Sequence, residues 1–283
     1  MNGRFQRASI WLILICTGCS GTQILNATSP DGSYTLESGI AYGEHPRQKL
    51  DIYTTLAPLP NAPTLVFFYG GGWRDGNRSE YAFVASALTA RGFSVVIADY
   101  RLYPDVVFPV FVEDGADALN WLAAEGRRYG LRSDRISLIG HSAGAHIAAL
   151  LALDQSYRDG RMFPVIESWV GMSGPYDFLP IEEGYLLDVF PEATRTQSQP
   201  VNFVRRGAPS TLLLHGADDD IVDVRNSERL AVALAELGND VRVEVYPDAG
   251  HARPVAAFAP LLTFLDTSLA DTIDFLLSAP PGE

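Results

Sequence analysis

Gly140-His141-Ser142-Ala143-Gly144 lies between an apolar run containing Ile136, Leu138 and Ile139 and an Ala/Leu-rich run from Ile147 to Leu153. The first run reads as a strand buried on both faces, and the second, apolar nearly all round, as a buried helix. A strand that passes straight into a helix has to turn within a residue or two, which small neighbours permit. Such a turn holds the central hydroxyl out of the fold in a strained conformation, and strain is kept mostly where function uses it. This stretch therefore commits the chain to an α/β architecture and makes Ser142 a candidate nucleophile.

The rest of the chain agrees with that architecture. One or two edge strands are expected between Ile40 and Tyr53, then short buried strands at Thr64 to Tyr69, Ser94 to Asp99, Ile136 to Gly140, Val165 to Met172, Thr211 to His215 and Val241 to Tyr246. Helical spacing marks Ser79 to Arg91, Pro109 to Glu125, Ser142 to Leu153, Asp223 to Leu237 and a final helix from about Pro254. Residues 177–206 are irregular and read as a small cap insert. Buried strands alternating with helices predict a mostly parallel central sheet with helices on both faces, whose ligands bind beyond the carboxyl ends of the strands. With 283 residues, 47% of them hydrophobic and 19% charged, the chain can bury one large core. Its net charge of −13 argues against a nucleic-acid partner. The sequence leaves the oligomeric state open.

Three further groups complete the expected chemistry. A serine hydroxyl needs a base, and the base needs a carboxylate that fixes its tautomer. His251 follows the last strand, in a loop able to reach back across the sheet, and is the expected base. His146 lies a turn into the helix, and His215 is expected to make a structural hydrogen bond in its turn. The acid is expected just after Thr211 to His215, where Asp218, Asp219 and Asp220 are adjacent and geometry alone does not choose. Gly70-Gly71-Gly72 follows the strand Thr64 to Tyr69, where this fold supplies backbone donors for an oxyanion; the Ala143 N–H is the second donor. Trp73 and Tyr103 are candidates for the substrate pocket. No cluster has metal-ligand spacing, so no metal or organic cofactor is expected.

These motifs resemble those of the α/β-hydrolase superfamily, within it the hormone-sensitive-lipase-like and kynurenine-formamidase-like serine carboxylesterases, over about residues 40 to 275. Tyr69-Gly70-Gly71-Gly72-Trp73 is similar to an H-G-G-G-W motif, with Tyr69 in place of its histidine. Asp99-Tyr100-Arg101-Leu102-Tyr103-Pro104 is similar to D-Y-R-x-x-P, and Gly140 to His146 to the elbow of arylformamidases and isoprenylcysteine methylesterases. Leu214 to Val222 fits H-G-x-x-D-x-x-V, which implies Asp219 as the acid, and the resemblance implies Gly71 and Gly72 as the oxyanion glycines. It implies hydrolysis of a small-molecule carboxylic ester of a short or medium acyl or aryl group. An amidase or arylformamidase with the same triad, and a non-catalytic binding module on the same fold, are the alternatives.

The N-terminus has its own logic. Arg4 and Arg7 precede the apolar run Ile10 to Ile15, and small residues follow. Cys16-Thr17-Gly18-Cys19-Ser20 resembles a bacterial lipoprotein cleavage box. It implies a signal peptide over residues 1–18, a lipid on Cys19 that tethers an exported protein to a membrane surface, a polar tether over residues 19–38 and a hydrolase domain over residues 39–283.

Overall fold

Apolar side chains that alternate faces along each strand bury both faces of a central sheet. A computed structural model of the protein describes residues 21–29, 32–181 and 184–278. Its strands are β1 (Tyr34–Ala41), β2 (Lys49–Thr55), β3 (Thr64–Phe68), β4 (Val95–Ala98), β5 (Arg135–His141), β6 (Val165–Met172), β7 (Ser210–Gly216) and β8 (Val241–Tyr246). They form one sheet in the order β1-β2-β4-β3-β5-β6-β7-β8. β1 is antiparallel to β2 and β2 to β4, whereas β4, β3, β5, β6, β7 and β8 are parallel to one another. Every residue of β3, β4 and β7 is buried. Successive side chains point to opposite faces, so both faces are covered, as the continuous apolar runs require. The protein has the α/β-hydrolase fold.

The helices are α1 (Gly21–Ala27), α2 (Ala82–Thr89), α3 (Val110–Glu125), α4 (Ala143–Leu153), α5 (Leu186–Val189), α6 (Arg225–Glu236), α7 (Arg253–Ala256) and α8 (Ser268–Ser278). Helix α4 leaves β5 after a single residue and is buried along its whole length. Its weak amphipathicity follows from that position: it packs on β3, β5 and β6 on one side and against α3 on the other.

Two stretches differ from their expectation. Residues 19–38 read as a polar tether, yet the described part carries α1 and the start of β1. Asn26 holds α1 in place. Its Nδ2 donates to the Ser79 carbonyl at 2.8 Å, and its Oδ1 accepts from the Phe83 N–H at 2.9 Å. These contacts span more than fifty positions and leave no local mark. The expected final helix is two helices, α7 and α8, with a Pro260–Leu262 turn between them. Pro260 cannot donate into a continuing ladder, and Asp266 Oδ1 caps the new start by accepting from the Ser268 N–H at 3.0 Å. The signal segment and both cysteines, Cys19 included, lie outside the described residues. No helix among the described residues is long and apolar enough to cross a membrane.

Candidate active site

The turn between β5 and α4 is as tight as Gly140 to Gly144 suggested. Ser142 has φ 54° and ψ −120°, the left-handed side of backbone space, and its N–H is anchored on the Met172 carbonyl at 2.8 Å. The glycines are steric necessities. A Cβ on Gly144 would lie 2.0 Å from the Phe68 carbonyl oxygen, and one on Gly140 would lie 2.4 Å from the Gly144 carbonyl oxygen. Ala143 opens α4, so its N–H belongs to the first turn, whose donors have no partner within the helix.

The loops after β7 and β8 bring two more groups to this point. They are hydrogen-bonded to each other: the Ala217 N–H donates to the Tyr246 carbonyl at 2.9 Å, and the Asp218 N–H to the Ala249 carbonyl at 3.0 Å. His251 Nδ1 donates to Asp219 Oδ2 at 2.8 Å, which turns the Nε2 lone pair toward Ser142; the Ser142 hydroxyl donates to it at 2.9 Å. Asp219 is the aspartate brought to His251, while Asp218 and Asp220 are exposed. Asp219 Oδ1 accepts from the N–H groups of Ile221 and Val222 at 3.0 and 2.9 Å. Burial pushes this carboxyl up, but hydrogen bonds from His215, His251 and Val222 outweigh it and hold Asp219 well below the usual carboxylate range.

The glycine loop lies against the elbow: a Cβ on Gly70 would come within 3.0 Å of Ser142 Cβ. Gly71 turns the chain at φ 139°, and its carbonyl accepts from the N–H groups of Arg74 and Asp75 at 3.2 and 3.0 Å. Trp73, at φ 59°, is a non-glycine in the left-handed region. Its ring is fixed there by Phe111, Phe178, Phe190 and His146, at centroid distances from 4.8 to 6.4 Å. Tyr69, in the motif's histidine position, supports the loop from below. Its hydroxyl donates to Asp99 Oδ1 at 2.8 Å and accepts from Arg47 Nη2 at 2.8 Å. The same Arg47 nitrogen reaches the Gly76 carbonyl at 2.9 Å, which closes the loop. Arg78, paired with Asp51 at 2.7 Å and Asp99 at 2.5 Å, completes this buried network.

Ser142 opens into a cavity of about 440 Å³. Its inner wall is Trp73, Phe178, Leu179, Tyr185 and Leu186, and its rim holds the ion pairs Asp177–Arg229 at 3.0 Å and Asp223–Arg225 at 2.5 Å. Trp73 lines the cavity. Tyr103 is not among the lining residues: its ring packs 6.5 Å from that of Tyr185, behind the wall. The insert at residues 177–206 divides its apolar residues. Phe178, Tyr185 and Leu186 face the cavity, whereas Val189 and Phe190 are fully buried. Among the described residues no group of three or more His, Cys, Asp or Glu is arranged to hold a metal ion.

The other histidines are structural partners of this arrangement. His146, a turn beyond Ser142, donates from Nε2 to the Ser198 carbonyl at 2.7 Å and so ties α4 to the insert. His141 Nε2 donates to the His251 carbonyl at 3.2 Å. Burial pushes the His146 imidazole down to about 4; burial and the neighbouring His251 push His141 down to about 3, both from 6.5. Since both folded values lie below the unfolded one, the unfolded chain binds more protons in that window. Their stabilising contribution is complete above about pH 6.5 and is lost as pH falls toward 4 and then 3. The unfolding free energy is expected to drop between pH 7.5 and 4.5, with a slope approaching about 1.4 kcal/mol per pH unit for each histidine, and the urea midpoint should fall with it. A flat midpoint over that range would contradict it.

Sequence reasoning missed the contact of His215 Nε2 with Asp219 Oδ2 at 3.1 Å. It also missed Asn226, whose Oδ1 accepts from the N–H groups of Tyr176 and Asp177 at 2.9 Å and sets where the insert begins. The first was available from the motif, in which the histidine stands four residues before the aspartate. The second has no local signal.

The BD-FAE family profile matches residues 50–234. Among curated relatives, the chain is 30% identical over 237 residues to a probable isoprenylcysteine alpha-carbonyl methylesterase of Oryza sativa subsp. japonica, covering 75% of this chain and 57% of that protein. It is 32% identical over 247 residues to esterase LipC of Mycobacterium tuberculosis, covering 77% and 60%. The chain thus spans little more than half the length of these relatives. Among solved structures, esterase B from Lactobacillus rhamnosis inhibited by a tributyrin phosphonate superposes with a TM-score of 0.77 at 22% identity, over 90% of each chain. A truncated carbohydrate esterase from gut microbiota superposes with a TM-score of 0.76 at 18% identity, over 89% of this chain and 99% of that one. At these identities the two structures speak for the fold alone.

Proposed function

The chain belongs to the BD-FAE family, and from that membership we propose that it is a serine hydrolase of carboxylic esters, acting through an acyl-enzyme on Ser142. The observation that carries the reading is the unbroken relay from Ser142 Oγ through His251 to Asp219, at 2.9 and 2.8 Å, opening on an apolar cavity. Ser142 Oγ attacks the ester carbonyl and its proton passes to His251 Nε2. Asp219 stabilises the imidazolium. The developing oxyanion is held by the N–H groups of Ala143, Gly71 and Gly72. Collapse expels the alcohol, which takes the proton from His251. Water, activated by the same imidazole, then releases the acid. The cavity of about 440 Å³, walled by Trp73, Phe178, Leu179, Tyr185 and Leu186, suits a short or medium acyl or aryl group. Intact-mass analysis after treatment with a fluorophosphonate tests the assignment: one adduct on Ser142 is expected, and folded protein that takes up none would overturn it.

We also propose that the protein is exported and carries a lipid on Cys19, which the order of basic, apolar and small residues before that cysteine supports. An alkyne fatty acid fed to a bacterial host should label the wild-type protein and not Cys19→Ser. Equal labelling of the two, or none of the wild type, would refute the lipid.

A further inference from the structure

Asp219 Oδ2 is shared. His251 Nδ1 approaches it at 2.8 Å and His215 Nε2 at 3.1 Å. The side chains of His215 and Asp219 have no solvent exposure, and Ser227 on α6 is equally buried. His215 Nε2 also lies 2.9 Å from the Val222 carbonyl. Both neighbours of that nitrogen are acceptors, so Nε2 carries its hydrogen. Nδ1 is then free to accept, and the Ser227 hydroxyl donates to it at 2.7 Å. The relay therefore runs on from the carboxylate, through His215 to Ser227.

We propose that His215 and Ser227 are positioning residues that act through Asp219, setting both the place of its carboxylate and the share of its charge available to His251. The inference rests on the triad reading above. A donor on Oδ2 competes with His251 for the same oxygen and weakens that oxygen's grip on the imidazolium. Without the donor, the imidazolium is held more tightly and gives its proton less readily to the leaving alcohol. The titratable groups facing Asp219 are few. His215 comes from β7, His251 from the loop after β8, and His141 from the end of β5, its ring 5.1 Å from that of His251. Asp218 and Asp220 are exposed.

The test uses His215→Leu, His215→Gln and Ser227→Ala, each first checked for Ser142 labelling by the fluorophosphonate. Loss of labelling in the wild-type protein would refute the triad itself, whereas the variants address only its extension. His215→Leu should lower kcat on ethyl butyrate, whose alkoxide leaving group needs the proton from His251, by about tenfold or more, with KM within about twofold. The acid limb of kcat/KM should move to higher pH by about half a unit or more. His215→Gln, whose amide can place a donor near Nε2, should restore kcat to within about threefold of wild type. Ser227→Ala, which removes the donor holding the ring at Nδ1 and lets Nε2 shift from Oδ2, should move the acid limb the same way by a smaller amount. It carries the test if His215→Leu does not fold. An acid limb unmoved in His215→Leu and Ser227→Ala, or a glutamine variant as slow as the leucine one, would overturn the proposal.

Discussion

Ser142→Ala is expected to lower kcat on p-nitrophenyl butyrate by about 10⁴- to 10⁶-fold while leaving KM nearly unchanged. The size follows from the division of labour. Removing Oγ abolishes the acyl-enzyme route but leaves the glycine loop and cavity to bind and polarise the ester, so a residue of water-mediated hydrolysis survives. The substitution should be structurally quiet. Alanine keeps the Cβ and meets the same left-handed strain at φ 54°, and the Met172 anchor uses only backbone atoms. Initial-rate kinetics with circular dichroism on the same preparation decide the matter. Activity within about tenfold of wild type, in folded protein, would remove Ser142 from the chemistry.

The second large effect separates three adjacent aspartates. Asp219→Asn should cost about 10³- to 10⁴-fold in kcat, because an amide in that place can present a donor to His251 Nδ1 and turn the ring to the wrong tautomer. The N–H groups of Ile221 and Val222, which donate to the other carboxylate oxygen, stay in place and hold the amide there. Asp218→Asn and Asp220→Asn, both at exposed side chains, should each stay within about threefold of wild type. Parallel kcat measurements on the three variants check this. A crippled Asp218→Asn beside an active Asp219→Asn would reassign the acid.

The motifs made much of this site legible before any coordinates. The apolar runs around Ser142 fixed the neighbouring strand and helix to within a residue, since burial on all sides leaves a strong compositional mark. Position at the strand ends then put His251 and the aspartates within reach of one another. What stayed hidden depends on distance along the chain. Asn26 clasps α2 and Asn226 clasps the start of the insert, each by bonds between segments about fifty residues apart, and neither contact has a periodicity to read. Tyr103 shows the converse limit. It stands in a motif beside the site, and its N–H is bonded to the Trp73 carbonyl at 2.8 Å, yet its ring packs behind the cavity wall. Backbone proximity can be inferred from a motif, but side-chain direction depends on what else fills the space.

Trp73 belongs at once to the glycine loop and to the aromatic box that it forms with Phe178, Phe190 and His146. Two of those partners come from the insert, whose other apolar residues shape the cavity. A mutation in the insert that alters which acyl groups fit therefore also presses on the loop that would steady the oxyanion. Substrate range and turnover are thereby coupled through Trp73. A new preference entered through Phe178 brings a change of rate with it, and compensation is to be sought in the loop rather than in the cap.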